Sequence, residues 1–316
     1  MSQQVAVIGA GMSGVSCAYH LAAAGAHVEV FDKGRNLGGR LSTRIQDGFA
    51  FNHGAPGFSV KENTFKTVIN DLIAAGFATD TGLPGAPFIG LPHMNCLLRP
   101  LVRDLTVHQS VEVNSLEKQG NAWHLSSLQR QCHGPFDAVA VCIPAAQALT
   151  LIKPVKPQWA SELEHVQYDP CMTMMIAFQG DYPADRDANA KGHPIILQQI
   201  RQAENRQDVS NASCWTAHAT PAWSISNMER EQNDIAQDLA AEFMTLHNLS
   251  DTQPIFLQGH RWRYARVRRP LGVACLWDVG LQLGLAGDWC LGPDVEHAYE
   301  SGADLAEQIQ ANILQG

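Results

Sequence analysis

The stretch Gln4–Gly34, QVAVIGAGMSGVSCAYHLAAAGAHVEVFDKG, decides how this chain folds. Gln4–Ile8 is a continuous apolar run of the kind carried by a strand buried on both faces. Gly9, Gly11 and Gly14 follow in G-x-G-x-x-G order, and the stretch from Ser13 to Ala24 reads as a helix. Val28–Phe31 is a second buried strand, closed by Asp32. Strand, helix and strand make a β-α-β unit, which dictates a parallel sheet with a right-handed crossover. The glycines let backbone approach a pyrophosphate where helix N–H groups and the helix dipole favour negative charge. Asp32, roughly 20 residues on, stands where a carboxylate accepts hydrogen bonds from ribose hydroxyls. Together they predict a dinucleotide site built on Gly9, Gly11, Gly14 and Asp32, with Lys33 beside it.

Outward from this unit, Asn63–Gly76 has the pattern of an amphipathic helix and Thr81–Pro92 is rich in turn residues. Val107–Leu116 and Trp123–Leu128 read as a hairpin around Lys118-Gln119-Gly120-Asn121. Phe136–Ile143 and Leu283–Gly287 suit further buried strands, and Asp294–Ile313 a closing helix. Between Pro154 and Trp262, alternating strands at Met172–Phe178 and Cys214–Ala219 with a helix at Glu229–Leu246 predict a separate domain.

The 316 residues are 45% hydrophobic, enough for one large or two ordinary cores. A net charge of -9 argues against a nucleic-acid partner, since phosphate backbones are bound by clustered Lys and Arg. The eight cysteines show no Cys-x-x-Cys pair and no metal-ligand spacing with the 13 histidines, so no metal is expected. The N-terminus lacks a basic segment followed by a long apolar one, and no window reaches the ~18 apolar residues of a membrane span. A cytoplasmic protein without membrane association is the expectation.

Leu37-Gly38-Gly39-Arg40 follows the second strand, where two glycines and an arginine can fold over the same pyrophosphate and add a forked cation. The run Val5–Arg44, with Gly38-Gly39-Arg40 and Thr43, resembles the start of the flavin-containing amine oxidase superfamily. At the other end Gly287-Asp288, Val295-Glu296, Ala298 and Ser301-Gly302 resemble that superfamily's second FAD motif. Gly54-Ala55 with Phe58, His218–Ser224, His260–Ala265 and Gly287-Asp288-Trp289-Cys290 are similar to bacterial renalase-like proteins. The chain departs from that pattern at Asn52, His53, His297 and 202–207.

The resemblance implies an α/β fold: a discontinuous Rossmann-type FAD-binding domain (1–58, 100–154, 263–316) with an inserted α+β substrate domain (59–99, 155–262). It implies non-covalent FAD held by Gly9, Gly11, Gly14, Asp32, Lys33, Gly39, Arg40, Val113, Gly287, Asp288, Val295, Glu296 and Ala298. In it Asp288 bonds the ribityl chain, the helix after Pro293 faces the flavin's pyrimidine edge, and the backbone at Val113 meets the adenine. It further implies hydride transfer from dihydro-NAD(P) isomers to flavin N5, with molecular oxygen reoxidising the flavin to give hydrogen peroxide. Superfamily amine oxidases carry a lysine near N5; Thr173 takes its slot by register, and Met172–Phe178 contains no lysine. A hydride donor that gains aromaticity needs orientation more than a base. His53, Thr173, Trp223, Arg261 and Trp262 are the expected substrate-site residues. Arg261 and Arg263 face one side of a strand, where a substrate phosphate can be met. The alternatives are an amine oxidase or desaturase-like flavin dehydrogenase, and an FAD-binding protein without turnover.

Overall fold

The computed structural model describes residues 2–82, 85–180, 192–201 and 212–314, so the departure at 202–207 lies outside the described residues. The chain divides into two compact units, one comprising 1–41, 57–167 and 267–316, the other 42–56 and 168–266.

In the first unit the opening β-α-β unit forms as Gln4–Ile8, Met12–Ala23 and His27–Asp32. The six-stranded sheet runs Leu276–Asp278, Leu283–Leu285, Ala138–Val141, Gln4–Ile8, His27–Asp32, Thr106–Gln109. Neighbours are parallel except Leu276–Asp278, which returns antiparallel beside Leu283–Leu285. Val5–Ile8 and Ala138–Val141 are buried and apolar at every position, and Val5, Val7, Ala138 and Ala140 share a core with Cys17, Leu21, Leu305 and Ile309 of the covering helices. The Val295–Ile309 helix crosses Met12–Ala23 closely; a Cβ on Gly302 would lie 2.1 Å from the Ser13 carbonyl oxygen. The predicted hairpin is Val113–Gln119 with Ala122–Ser127, joined through Gly120 at φ +62° and extended by Cys132–Phe136. Its expected first strand is in fact two elements. Ser110 takes φ +59° and its N–H donates to Gly34 O, so Thr106–Gln109 joins the parallel sheet instead.

The second unit holds a four-stranded sheet, Ile196–Arg201, Ala212–Ala219, Gln167–Gln179, Phe256–Arg269, with Gln167–Gln179 and Ala212–Ala219 antiparallel. Side chains alternate across it. Met172, Met174, Ile176 and Phe178 pack with Ile235, Leu239 and Phe243 of the Gln232–Leu246 helix. Met175 and Ala177 pack with Phe49, Phe51 and Phe256. Thr43–Gln46 and Phe49–Asn52 form the hairpin carrying those phenylalanines.

The compact units divide the chain at other places than the expected domains: 59–99 and 155–167 fall in the first unit, 42–56 and 263–266 in the second. Residues 42–56 belong with the second unit because Phe49 and Phe51 bury in its core. Residues 57–99 belong with the first, where Phe65 stacks on Tyr299 at 4.6 Å and Asn95 Nδ2 donates to Leu37 O. Among the described residues no helix is long and apolar enough to cross a membrane.

Candidate functional site

The glycine turn is shaped by two different demands. Gly9 adopts φ +108°, and a Cβ there would lie 2.5 Å from the Cys142 carbonyl oxygen; one on Gly14 would lie 1.8 Å from Gly9 O. Both are required by the protein's own packing. Gly11 is not: a Cβ there would meet only Gly38 O, at 3.9 Å, among the described residues. The Met12–Ala23 helix starts at Gly11 with no side-chain cap and no acid in its first turn, and Ser13 Oγ is buried without a partner. Uncapped N–H groups, an orphan hydroxyl and an open glycine fit a pyrophosphate. Gly38 N donates to Ala10 O, holding the second glycine turn against the first.

Asp32 accepts from Ala10 N through Oδ2 and Gly34 N through Oδ1, both at 2.6 Å. A carboxylate has about four lone-pair sites, so two remain for a ribose. Lys33 lies 4.0 Å from Glu112, and Val111 N donates to Asp32 O, which brings the strand carrying Val113 to the Asp32 end of the site.

Arg40 and Asp288, expected on separate parts of a cofactor, are bonded to each other. Nη1 and Nη2 donate to the two carboxylate oxygens at 2.7 and 2.6 Å, with the Asp288 side chain only 5% exposed. Trp289 N donates to the same carboxylate. Gly287 is explained by Trp289, whose Nε1 would be 2.2 Å from a Cβ at that position. Burial pushes the Cys290 thiol well up, as for an inert buried side chain. Glu296 turns away from this row: its Oε1 accepts from Lys61 N and Glu62 N at 2.7 and 2.9 Å, tying down the start of the Asn63–Ala74 helix. Val295 opens the Val295–Ile309 helix and Ala298 N closes its first turn on Asp294 O. His297 completes a capping box with Asp294 there. The first unit thus holds Asp32 and the open Gly11 turn, against which the Gly38-Gly39 turn leading to the Arg40–Asp288 pair is docked, a set of donors and acceptors that fits a dinucleotide.

In the second unit His53, Thr173 and Trp262 come together. The His53 carbonyl accepts from Trp262 Nε1 at 3.0 Å and faces His218 Nε2 at 3.2 Å. His218 pairs in register with Thr173, and its Nδ1 lies 2.9 Å from Gln198 Nε2. His53, His260 and Trp262 pack ring to ring at 4.4–5.2 Å. Burial, then the nearby His260 and Arg44, pushes His53 down to about 3; burial, then Arg44, takes His260 to about 4. His53 Nδ1 is buried without a partner. This is a wall of neutral imidazoles at physiological pH. His218 and His260 were absent from the expected site, although His260 sits two residues before Trp262 and so on its side of the strand.

The remaining expected residues lie on the opposite face. Trp223 packs with Met172 and Leu239 on the helix-covered side. Arg261 and Arg263 share the side of Gly259, whose Cβ would meet Gln232 O of that helix at 2.1 Å. Trp223, Arg261 and Arg263 therefore do not share the face that carries His53, Thr173 and Trp262.

Comparison with known proteins supports the architecture. Residues 7–72 match the family model for an NAD(P)-binding Rossmann-like domain. Over 65 residues, 21% of this chain and 13% of the relative, it is 38% identical to 4,4'-diapophytoene desaturase (4,4'-diaponeurosporene-forming) of Staphylococcus aureus. The Staphylococcus haemolyticus enzyme is 39% identical over 67 residues, so the chain matches only about an eighth of these relatives' length. Cyclohexylamine oxidase from Brevibacterium oxydans superposes with TM-score 0.69 at 11% identity, covering 99% of this chain and 100% of that one. A putative protoporphyrinogen oxidase from Exiguobacterium gives 0.66 at 13% identity, covering 98% and 99%. The chain has the α/β fold of these oxidases, with a Rossmann-like dinucleotide-binding domain.

Proposed function

We propose that this chain is an FAD-dependent oxidoreductase that takes a hydride from a dihydronicotinamide dinucleotide isomer and passes the electrons to molecular oxygen, yielding hydrogen peroxide. The observation that supports the flavin part is the open Gly11 turn with Asp32 bonded at its start and the Arg40–Asp288 pair in the same unit. Asp32 would hold the adenosine ribose, the uncapped first turn of Met12–Ala23 the pyrophosphate, and Asp288 with Arg40 the segment beyond. Bound FAD supplies the hydride acceptor.

The substrate part rests on the neutral wall of the second unit. Thr173, fully buried, carries no charge on the strand where amine oxidases keep a lysine, and His53 and His260 stay unprotonated. Such a surface suits a flat, uncharged ring that must be oriented. None of the wall residues His53, Thr173, His218, His260 and Trp262 is a carboxylate that would pair with an ammonium ion, so a dihydronicotinamide fits better than an amine. The desaturase-like N-terminal segment and the oxidase fold favour, as a second reading, another small or apolar hydride donor.

Anaerobic mixing of the FAD-loaded protein with 2-, 4- and 6-dihydro-NAD(P) and simple amines separates these readings. Rapid flavin bleaching by the 2- or 6-dihydro isomer is expected, with 4-dihydro NADH and amines slower by orders of magnitude, because a misplaced donor carbon loses rate steeply. Fastest bleaching by amines would replace the proposal with the amine-oxidase reading. Bleaching by none would leave a flavin-binding protein without turnover.

A further inference from the structure

Arg261 and Arg263 stand two residues apart on one face of the Phe256–Arg269 strand, about 7 Å from Cα to Cα by strand rise. Arg263 gives Nη1 and Nη2 to the two carboxylate oxygens of Glu229 at 2.8 and 3.0 Å. Arg261 donates through Nη2 to the backbone carbonyl of Arg230, which fixes its guanidinium, while its Nε is buried without a partner. Among the described residues no carboxylate pairs with Arg261, although its charge reaches Glu229. Arg230 itself is occupied, by Asn227 and by Asp238 at 2.7 Å. Arg263 thus has a carboxylate partner, whereas Arg261, two residues away on the same face, has among the described residues only a backbone carbonyl.

The carboxylate is held by two hydrogen bonds but is open to solvent. Its side chain is 75% exposed and that of Arg263 47%, so water screens the pair and little opposes exchange for a better anion. Phosphate oxygens match a guanidinium fork as a carboxylate does, and two linked phosphates carry two charges and can meet two forks. We propose that Arg261 and Arg263 form a subsite for a pyrophosphate-type dianion, on which Glu229 acts as a displaceable internal anion. The site lies on the opposite sheet face from His53 and Trp262, so it stands apart from the proposed hydride chemistry. Its phosphate comes either from a free phosphorylated ligand or from the linkage of the dinucleotide substrate.

Isothermal titration of the full-length FAD-loaded protein with inorganic pyrophosphate, at fixed ionic strength, tests the subsite directly. Saturable binding is expected, weakened at least tenfold in R261Q and in R263Q and tightened several-fold in E229Q. The E229Q result guards against misfolding, because a damaged protein does not bind more tightly. No saturable binding, or E229Q no tighter than wild type, overturns the proposal. Titration with ADP-ribose, and KM for the dihydro isomers in R261Q, identify the source. A raised KM assigns the phosphate to the substrate, and an unchanged KM with pyrophosphate binding retained in wild type assigns it to a separate ligand. Failure of flavin bleaching with pyrophosphate binding intact would sink the proposed function and leave the subsite standing.

Discussion

Asp32 and His53 show how one residue's surroundings set its use. Asp32 joins the first glycine turn to the start of the next loop through Ala10 N and Gly34 N, so its carboxylate is fixed before any ribose arrives. Asp32→Ala removes charge-assisted hydrogen bonds worth about 1.5–3 kcal/mol, and FAD is expected to leave the variant on dilution where wild type retains it, as read by flavin fluorescence. His53 is neutral when folded down to about pH 3, whereas in the unfolded chain it takes up a proton near 6.5. Between those values the unfolded chain binds the extra proton, so the contribution of His53 to stability falls as pH drops through that window, by at most about 1.4 kcal/mol per pH unit. His260 acts in the same direction from 6.5 to about 4. His53→Asn should therefore flatten the decline of Tm between pH 6.5 and 4. A variant whose Tm follows pH as steeply as wild type would remove His53 from that account.

At the scale of elements, termini matter more than interiors. The Asn63–Ala74 helix has no side-chain cap of its own at Glu62, and Glu296 supplies the missing acceptor from a segment more than two hundred residues away. Glu296→Ala should cost about 1.5–3 kcal/mol in urea unfolding, with Glu296→Gln recovering part of it, because an amide oxygen still accepts these bonds but without charge. Equal stability of the alanine variant and wild type would refute this role. The expectation that Glu296 holds cofactor came from its place in a motif. What the motif could not carry is the partner, since Lys61 and Glu62 have no sequence relation to it. The same limit explains Arg40 and Asp288, each legible alone and paired only by the fold.

For the whole molecule, the flavin prediction is the plainest. The purified protein should be yellow, and acid or heat should release intact FAD, because the residues that would hold it, Asp32, Arg40 and Asp288, bind through hydrogen bonds and charge. Flavin that stays with the denatured chain would contradict it. The sequence alone determined the opening β-α-β unit with its glycine turn and Asp32. A buried parallel strand must be apolar throughout, a turn at φ +108° must be glycine, and an acid must close the second strand, so local rules within thirty residues leave few alternatives. Tertiary structure decided the rest. Which unit takes 42–56 depends on where Phe49 and Phe51 find a core, and the split of Trp223, Arg261 and Arg263 from His53 and Trp262 depends on which face of one sheet the Gln232–Leu246 helix covers. Alternation along a strand names the residues that share a face; only packing against distant segments decides what that face meets.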